Sequence, residues 1–524
     1  MRGAVAAGHP LTAEAGARVL EEGGNAVDAC VAAAAVSWIV ESPLTGPGAG
    51  GFMLVHDAGK GRDVLLDFFV AVPGLGLDSR SSVEMEVVDV PFGAGDTTQR
   101  FFIGPPSCAV PGAVAGIAEA SRLFGRLPWP KLLEPAIELA RAGVELNPVQ
   151  GLFHEVLDAV LRNRPEGRRV WGTSGPLRPG DRLFMPDLAG TLALLASEGA
   201  AAFYRGEVAR AIVTTCREGG GLLTDQDLAA YRVVRRRPVR ARYRGHDFVS
   251  NPPPSSGGVL IAYALRLIDR LGVGGVPGSV EAIALLAETA RETAQAREGS
   301  FASELFRGGL APRLLADERV AQAVGRIRAG LAVPVREPAG MPSTTHISVI
   351  DARGNAASLS ASTGIGSGFV VPGTGIQLNN MLGELDLNPS GAPLRPGRRM
   401  TSMMAPSIAL RDGRPHIVVG SAGSERLRGA IVQILVNIID HGMDLRTAIE
   451  RPRSHLDGSE LHLEGGTEAT TAARLAELGY PLVEWPGPDR NLYFGGASAV
   501  AMERDGTLEA AGDLRRGGHG VVVR

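Results

Sequence analysis

The amino-acid sequence predicts a layered α/β protein of the α+β kind. Helical spacing of apolar residues recurs over residues 112–145 and 185–300, and short strand patterns are frequent in residues 345–380. A further helical pattern follows at residues 424–442. The chain has 524 residues, of which 44% are hydrophobic. That length and composition suit a few ordinary domains or one large layered domain with a large core.

Composition and charge argue against several classes of protein. The formal net charge is −3, and the most basic stretch, residues 232–242, alternates like an edge strand, so we expect no nucleic-acid partner. The three cysteines are too dispersed for a disulfide framework or a zinc site. No apolar run reaches the length of a bilayer span, so no membrane partner is expected. The first residues lack the apolar core of a signal peptide, which predicts a cytoplasmic protein unless the true start lies upstream.

The first third of the chain reads as helices around a pair of strands. Residues 12–40 predict a long helix with a brief break at EEGGNAVD, and residues 42–51 predict a glycine-rich turn. The segments FMLVHD and DVLLDFFVAV then predict two paired strands. Helices are expected again over residues 112–145.

The rest of the chain is divided by one candidate linker. Strands are expected within residues 231–250, between amphipathic helices. Residues 325–343 contain several prolines and glycines without a clear period, which is typical of a linker. The helix predicted at 424–442 has an apolar face, formed by Leu427, Ile431, Ile434, Leu435 and Ile438.

A hairpin after the linker brings hydroxyl groups together. HISVID and AASLSAS flank the turn ARGN, in which Asp351 and Gly354 are favourable turn residues. Antiparallel pairing about this turn places Thr344 opposite Ser362 or Thr363. The pair is either part of a reactive site or a cross-strand contact that only stabilises the sheet.

Two other segments have both a functional and a structural interpretation. Residues 420–424 join a strand to a helix, and their backbone N–H groups form either an oxyanion site or a helix start capped by Ser424. Glu384 and Asp386 lie in a loop, where they either hold a substrate ammonium group or are solvated. The scattered histidines show no metal-binding motif, so neither a metal nor another cofactor is expected.

The ordered motifs resemble those of the γ-glutamyltranspeptidases, a branch of the N-terminal nucleophile hydrolases. The resemblance runs along nearly the whole chain, through HPLTAEAGARVLEEGGNAVDA, GAGGFMLVHD, VPGAVAG, GGLLTDQDLAAYR, PPPSSGG, TTHISVIDARGNA, GTGIQLNN and MTSMMAPSI. It implies the four-layer αββα sandwich of these hydrolases. It also implies a chain that cuts itself, into a large region 1–343 and a small region 344–524 that remain associated as a heterodimer within one intertwined fold.

The resemblance also implies the chemistry. Thr344 matches the threonine that attacks its own preceding peptide bond, so cleavage falls between Ser343 and Thr344. The released α-amino group of Thr344 then serves as its general base. Ser362 matches a second hydroxyl residue that bonds to the nucleophile. Gly423 and Ser424 match the two residues whose N–H groups form the oxyanion hole, the second of which is usually glycine.

The expected substrate pocket departs from the family pattern. Thr401 and Ser402 match a serine pair that binds the substrate α-carboxylate, and Glu384, with Asp386 as an alternative, matches the acid that binds the α-amino group. Phe69, however, stands where the best-known members carry an arginine that grips the γ-glutamyl carboxylate.

A second departure concerns the loop after the second hairpin strand. Thr363 or Gly364 replaces the usual substrate-binding asparagine, and Met381 replaces a glutamine. We therefore expect a self-processing γ-glutamyltransferase or glutathione hydrolase-like amidohydrolase, which transfers an acyl group from a small-molecule amide or γ-glutamyl substrate to water or an amine. The alternatives are an acylase of less polar amides, similar to cephalosporin acylases, and an uncleaved, non-catalytic homologue.

Overall fold

Two β-sheets packed face to face form the centre of the fold. The computed structural model describes residues 2–77, 84–91, 98–330, 343–385, 387, 394–487 and 490–524. The strands of these residues are β1 (Gly3–Ala7), β2 (Gly50–Asp57), β3 (Arg62–Phe68), β4 (Glu86–Pro91), β5 (Thr98–Ile103), β6 (Val144–Glu145), β7 (Arg182–Leu183), β8 (Val234–Arg236), β9 (Val239–Tyr243), β10 (His246–Ser250), β11 (Thr345–Asp351), β12 (Ala356–Ser362), β13 (Val370–Val371), β14 (Ile376–Gln377), β15 (Ser407–Arg411), β16 (Arg414–Ala422), β17 (Ser454–Asp457), β18 (Glu460–Leu463), β19 (Leu482–Glu484), β20 (Gly496–Met502), β21 (Leu508–Gly512) and β22 (His519–Val523).

The large sheets draw strands from distant parts of the sequence. Within the described residues, the first sheet has seven strands in the order β22-β1-β11-β12-β2-β3-β8, and the second has six in the order β21-β20-β16-β15-β10-β9. Each sheet contains strands from both sides of the Ser343–Thr344 peptide bond. In the first sheet, β11 pairs with β1 on one side and with β12 on the other, while β12 also pairs with β2.

Alternate residues of the central strands face two different cores. Val349 of β11 packs under the helices that cover the first sheet, whereas the next residue, Ile350, lies in the core between the sheets. Val419 of β16 packs under the helices of the second sheet, whereas Val418 lies between the sheets. Because side chains alternate along a strand, apolar runs such as these bury both faces of each sheet.

Helices form the two outer layers. Their bounds are α1 (Pro10–Glu21), α2 (Ala26–Val40), α3 (Ala113–Phe124), α4 (Trp129–Ala142), α5 (Pro148–Val156), α6 (Asp158–Leu161), α7 (Pro165–Trp171), α8 (Pro186–Glu198), α9 (Ala201–Arg205), α10 (Glu207–Glu218), α11 (Asp225–Ala230), α12 (Gly257–Leu271), α13 (Val280–Gln295), α14 (Phe301–Arg307), α15 (Leu310–Leu314), α16 (Asp317–Arg328), α17 (Arg426–Ile439), α18 (Leu445–Glu450) and α19 (Ala469–Glu477). Helices α1 and α2 pack on the first sheet, and α12 and α17 pack on the second. The architecture is the four-layer αββα sandwich implied by the family resemblance.

Helix α2 shows how the sequence sets this layering. Asn25 and Asp28 form a reciprocal capping box at its start, and every residue of the helix is buried. A helix that is apolar all round belongs inside a protein, and α2 lies between the first sheet and helix α4. Among the described residues, no helix is both long and apolar enough to cross a membrane.

Two predicted boundaries differ from the structure. Helix α16 runs to Arg328, so the first residues of the predicted linker are helical, and residues 331–342 of that linker lie outside the described residues. Strand β3 ends at Phe68 and not at residue 72, because the Asp67 side chain accepts a hydrogen bond from the Phe69 N–H at 3.0 Å. This local bond turns the chain out of the sheet ladder immediately before Phe69.

Candidate active site

The hairpin of β11 and β12 brings the start of one strand beside the end of the other. Its register pairs Thr345 with Ala361, which is one of the two predicted registers. Extended by one residue, this register places Thr344 opposite Ser362. Both side chains are buried, with relative exposures of 8% for Thr344 and 3% for Ser362.

The turn between the two strands explains the register. Asp351 Oδ1 accepts a hydrogen bond from the Asn355 N–H at 3.1 Å, and Asp351 Oδ2 accepts one from the Asn355 side chain at 2.8 Å. Gly354 has a φ of +79°, a conformation that glycine adopts without strain. The local chemistry of the turn therefore fixes which hydroxyl groups meet at the other end of the hairpin.

Ser362 holds the carbonyl group that precedes Thr344. Its Oγ donates a hydrogen bond to the carbonyl oxygen of Ser343 at 2.8 Å and accepts one from the Gly364 N–H at 2.9 Å. The accepted bond occupies a lone pair of Ser362 Oγ and leaves its proton directed at the carbonyl oxygen. The arrangement polarises the peptide bond between Ser343 and Thr344.

A buried pair of charges anchors the start of β11. The Arg516 guanidinium donates to the Thr344 carbonyl oxygen at 2.7 Å, and Thr345 Oγ1 donates to Glu41 Oε2 at 2.6 Å. Thr12 Oγ1 donates to Glu41 Oε1 at 2.9 Å. Burial raises the pKa of the Glu41 carboxyl, against the effect of these hydroxyls and of Arg516. Burial lowers the pKa of Arg516 to about 9, and the Glu41 charge opposes that shift.

Glu41 and Arg516 are functional candidates that sequence reasoning missed. They lie near opposite ends of the chain and meet only in the folded protein. One signal was present in the sequence, because Glu41 is a single acid directly after the apolar run of α2. An acid in such a place needs buried partners.

A pocket of about 50 Å³ opens beside Thr344. Its polar lining consists of Ser343, Thr344, Ser362, Glu384, Ser402 and Ser424. Of the predicted catalytic residues, Gly423 is not among the described lining residues. Its apolar lining consists of Phe69, Met381, Leu387, Met403, Met404 and Leu427. Among the residues that the structure describes, no lysine, arginine or histidine lines this pocket. The described walls therefore offer a carboxylate no opposite charge.

Phe69 forms part of the apolar wall. The side chain is fully buried in the core between the sheets, and its ring stacks on that of Phe52, with centroids 5.4 Å apart and an interplanar angle of 18°. The nearby guanidinium of Arg399 is occupied elsewhere, since it bonds to the Phe69 carbonyl oxygen and pairs with Asp67. No contact in the described residues directs it into the pocket.

The predicted amine-binding acid lies next to a compulsory glycine. Gly364 has a φ of +68°, and a Cβ atom there would lie 2.0 Å from Asn380 Oδ1 and 2.8 Å from Glu384 Oε1. A residue larger than glycine at position 364 would therefore require a shift of the Asn380 side chain. Glu384 lines the pocket, whereas Asp386 lies outside the described residues.

The turn after β16 reaches the pocket through Ser424. Gly423 has a φ of +130° and Ser424 a φ of +52°, and Ser424 lines the pocket. The N-cap residue of α17 is Glu425, one residue after Ser424. Ser424 adopts a left-handed conformation, which costs a residue other than glycine about 1 kcal/mol. A family glycine at this position would adopt it without that cost.

Two predicted substrate-binding residues do not line the pocket in the described part of the chain. Thr401 Oγ1 donates to the Leu387 carbonyl oxygen at 2.9 Å, and Thr363 is fully buried beside the Leu44 carbonyl oxygen, to which its N–H donates. Ser402 does line the pocket, and its Oγ accepts a hydrogen bond from the Met404 N–H at 3.1 Å.

His346 belongs to a buried polar cluster and not to the pocket. Its Nδ1 lies 2.8 Å from Ser360 Oγ, and its Nε2 lies 2.9 Å from Ser348 Oγ. Burial lowers the pKa of His346 to about 3. The ring also packs against Gly420, where a Cβ atom would lie 2.2 Å from it. His346 therefore connects β11 to the strand that leads into the Gly423–Ser424 turn.

Comparison with known proteins shows that the chain is similar to members of one family. The family model described as gamma-glutamyltranspeptidase matches residues 12–523. The chain is 34% identical over 538 residues to the acylase ACY 1 proenzyme of Pseudomonas sp. strain SE83, an alignment that covers 100% of this chain and 94% of that protein. It is 30% identical over 541 residues to the glutathione hydrolase proenzyme of Escherichia coli strain K12, covering 98% and 90% of the two chains.

Solved structures show the same relationship. The cephalosporin acylase from Bacillus halodurans superimposes with a TM-score of 0.85 at 26% identity, covering 99% of this chain and 95% of that one. The γ-glutamyltranspeptidase of Helicobacter pylori superimposes with a TM-score of 0.53 at 30% identity, covering 61% of this chain and 90% of that one.

Proposed function

The chain belongs to the γ-glutamyltranspeptidase family of N-terminal nucleophile hydrolases and transferases, and on that premise we propose that it is a self-processing amidohydrolase with Thr344 as its nucleophile. It would form an acyl-enzyme on Thr344 and pass the acyl group to water or an amine. The observation that carries the proposal is the hydrogen bond from Ser362 to the Ser343 carbonyl oxygen.

Self-cleavage uses the groups around the Ser343–Thr344 bond. Thr344 Oγ1 attacks the Ser343 carbonyl carbon, and Ser362 stabilises the charge that develops on the carbonyl oxygen. The C–N bond then breaks as the proton of the attacking hydroxyl passes to the departing nitrogen, which leaves an ester between Ser343 and the Thr344 side-chain oxygen and a free α-amino group on Thr344. Water hydrolyses the ester, which releases the Ser343 carboxylate and restores the hydroxyl.

The mature site repeats this chemistry on an external amide. The α-amino group of Thr344 takes the proton from its own hydroxyl, which attacks the substrate carbonyl carbon. The N–H groups of Gly423 and Ser424 are the proposed oxyanion donors, which the position of Ser424 in the pocket wall supports. The leaving amine takes the proton, and water or another amine then removes the acyl group.

The two fragments would remain together as a heterodimer. After the proposed cut, residues 2–343 supply β1, β2, β3 and β8 of the first sheet, and the residues from 344 onwards supply β11, β12 and β22. Strand β11 is hydrogen-bonded to β1, and β12 is hydrogen-bonded to β2. Separation would break both ladders and expose the core between the sheets.

Two acyl classes are candidates for the substrate. A γ-glutamyl group, as in glutathione, is supported by the family and by Glu384 and Ser402, which can bind an ammonium and a carboxylate. A less polar acyl group is favoured by Phe69 and by the absence of a cation from the described pocket walls. The identity to an acylase proenzyme also supports this second class.

Mass spectrometry and a denaturing gel test the first part of the proposal. We expect fragments of residues 1–343 and 344–524, with Thr344 at the start of the smaller one. Thr344→Ala should remain uncut and inactive, whereas Thr507→Ala, at an exposed position of the same fragment, should be cut normally. Wild-type protein that stays uncut after long incubation would contradict the proposal and favour a non-catalytic homologue.

A substrate pair tests the acyl class. We would compare kcat/KM for γ-glutamyl-p-nitroanilide with that for pentanoyl-p-nitroanilide, which keeps the leaving group and lacks both charges. A preference for the pentanoyl compound would support the less polar class. A clear preference for the γ-glutamyl compound would contradict the less polar class and support the γ-glutamyl class.

A further inference from the structure

We infer that a second cavity, between helices α12, α13 and α17 and strand β17, is a binding site for a small aliphatic carboxylate. The cavity has a volume of about 70 Å³. In the described residues it shares no lining residue with the pocket at Thr344. The proposal does not depend on the chemistry of Thr344.

The volume sets the size of the ligand. One water molecule needs roughly 10–15 Å³ of such space, so the cavity accommodates about five or six non-hydrogen atoms. Part of the wall is apolar, formed by Leu260, Ile261, Leu286 and Val432. A ligand with a short alkyl part and one polar end fits a cavity whose wall is apolar on one part and polar on the rest.

An unpaired hydroxyl group in the wall indicates that the cavity binds an acceptor. Thr289 is only 2% exposed, and its Oγ1 has no hydrogen-bond partner among the described residues. Thr293, one turn further along α13, also lines the cavity, but its hydroxyl donates to the Ala290 carbonyl oxygen at 2.8 Å. A buried donor without a partner destabilises a protein, and an acceptor atom of a ligand would satisfy it.

The charges of the wall favour an anion. Three arginines, Arg291, Arg426 and Arg428, line the cavity together with two acids, Glu425 and Asp457. The lining residues alone carry one more positive than negative charge, and one of the three arginines, Arg291, is also paired with Glu288 at 3.2 Å, which is not a lining residue. Guanidinium groups form charge-assisted hydrogen bonds with a carboxylate. These bonds are stronger than the hydrogen bonds that the same groups form with a neutral ligand.

His455 supplies a further donor. Its ring lines the cavity and makes no hydrogen bond to another described residue. Burial and the nearby charges of Arg426 and Arg428 keep the pKa of His455 well below its usual range. The ring is therefore neutral near pH 7 and presents one N–H group, which a carboxylate oxygen can accept.

Lactate and lactamide provide a matched pair of probes. They have the same shape and differ in that lactate carries the negative charge. Titration calorimetry of the full chain with sodium L-lactate should show saturable binding with a Kd at or below about 10 mM. L-Lactamide should bind at least about tenfold more weakly.

Two threonine variants locate the binding. Thr289→Val removes the unpaired hydroxyl at nearly constant shape and should weaken lactate binding about tenfold. Thr293→Val makes the same change one turn away and should alter the Kd by no more than about twofold, because its hydroxyl is already engaged. Thr289→Val should also fold, since it removes a buried group without a partner.

Three results would overturn the proposal. The first is no saturable binding of lactate, and the second is equal binding of lactate and lactamide. The third is wild-type affinity in Thr289→Val, which would place the lactate at another part of the protein.

Discussion

The Ser362 hydroxyl lies 2.8 Å from the Ser343 carbonyl oxygen and donates a hydrogen bond to it. The acceptor is the carbonyl group that Thr344 would attack during self-cleavage. Ser362 therefore lies opposite the nucleophile and also binds the group that the nucleophile attacks first. Because negative charge develops on that oxygen during attack, the hydrogen bond strengthens in the transition state. Ser362 is therefore expected to influence the rate of cleavage more than the stability of the fold.

Removal of the Ser362 hydroxyl should slow self-cleavage. We expect Ser362→Ala to be cut at least about 100-fold more slowly than the wild type, because one donor to the developing oxyanion is lost. Ser362→Thr keeps a hydroxyl and should be cut at a rate near that of the wild type. The measurement is the appearance of the smaller fragment over time on a denaturing gel. Cleavage of the alanine variant at the wild-type rate would refute a role for this bond.

Truncation of Phe69 should destabilise the protein strongly. The ring is fully buried and stacked on Phe52, so Phe69→Ala should lower the free energy of unfolding by about 3–5 kcal/mol in urea titrations. Phe184→Ala is the matched control, because Phe184 is 52% exposed and its loss should cost less than about 1 kcal/mol. Similar losses for the two variants would show that Phe69 is not packed as described.

The left-handed conformation of Ser424 predicts which substitutions this position accepts. Ser424→Gly should retain activity, because glycine adopts a φ of +52° without strain. Ser424→Val should lower the free energy of unfolding by about 1–2 kcal/mol and reduce the acyl-transfer rate, because a branched side chain resists that conformation. Ser197→Val, at an exposed position of α8, controls for the side-chain change itself. Equal activity of the valine and glycine variants would exclude a conformational requirement at Ser424.

Buried His346 should make stability depend on pH. Burial lowers its pKa from 6.5 to about 3, so in this interval the unfolded chain binds a proton that the folded protein does not. Its contribution to stability is complete above pH 6.5 and is lost as the pH falls toward 3. His346→Gln cannot take up that proton, so its free energy of unfolding should fall less steeply with decreasing pH than that of the wild type. The difference between the two slopes should be about 1.4 kcal/mol per pH unit. Urea titrations at several pH values measure the slope, and equal slopes would contradict the prediction.

Local patterns allowed part of the site to be predicted from the sequence. The hairpin register follows from the turn at Asp351 and Gly354 and from the two-residue period of strands, and both are properties of a short segment. The apolar face of α17 was predicted in the same way, and Leu427 and Ile431 are buried in the core under the second sheet.

Other features depend on contacts that no short segment contains. Thr401 and Ser402 both match a family motif, but neighbouring residues of an extended chain point to opposite sides, and Ser402 is the one that lines the pocket. The partners of Thr344 and Thr345, namely Arg516 and Glu41, come from distant segments. Only the assembled sheets bring these groups together.

The interleaved strands determine the order of folding and self-cleavage. Thr344 meets Ser362 only after β11 has paired with β12, and that hairpin has its place only between β1 and β2. In the proposed scheme, folding therefore precedes cutting. A cut molecule is then one that has folded, so the fraction of cut chain, measured by mass, gives a lower bound on the folded fraction of a preparation.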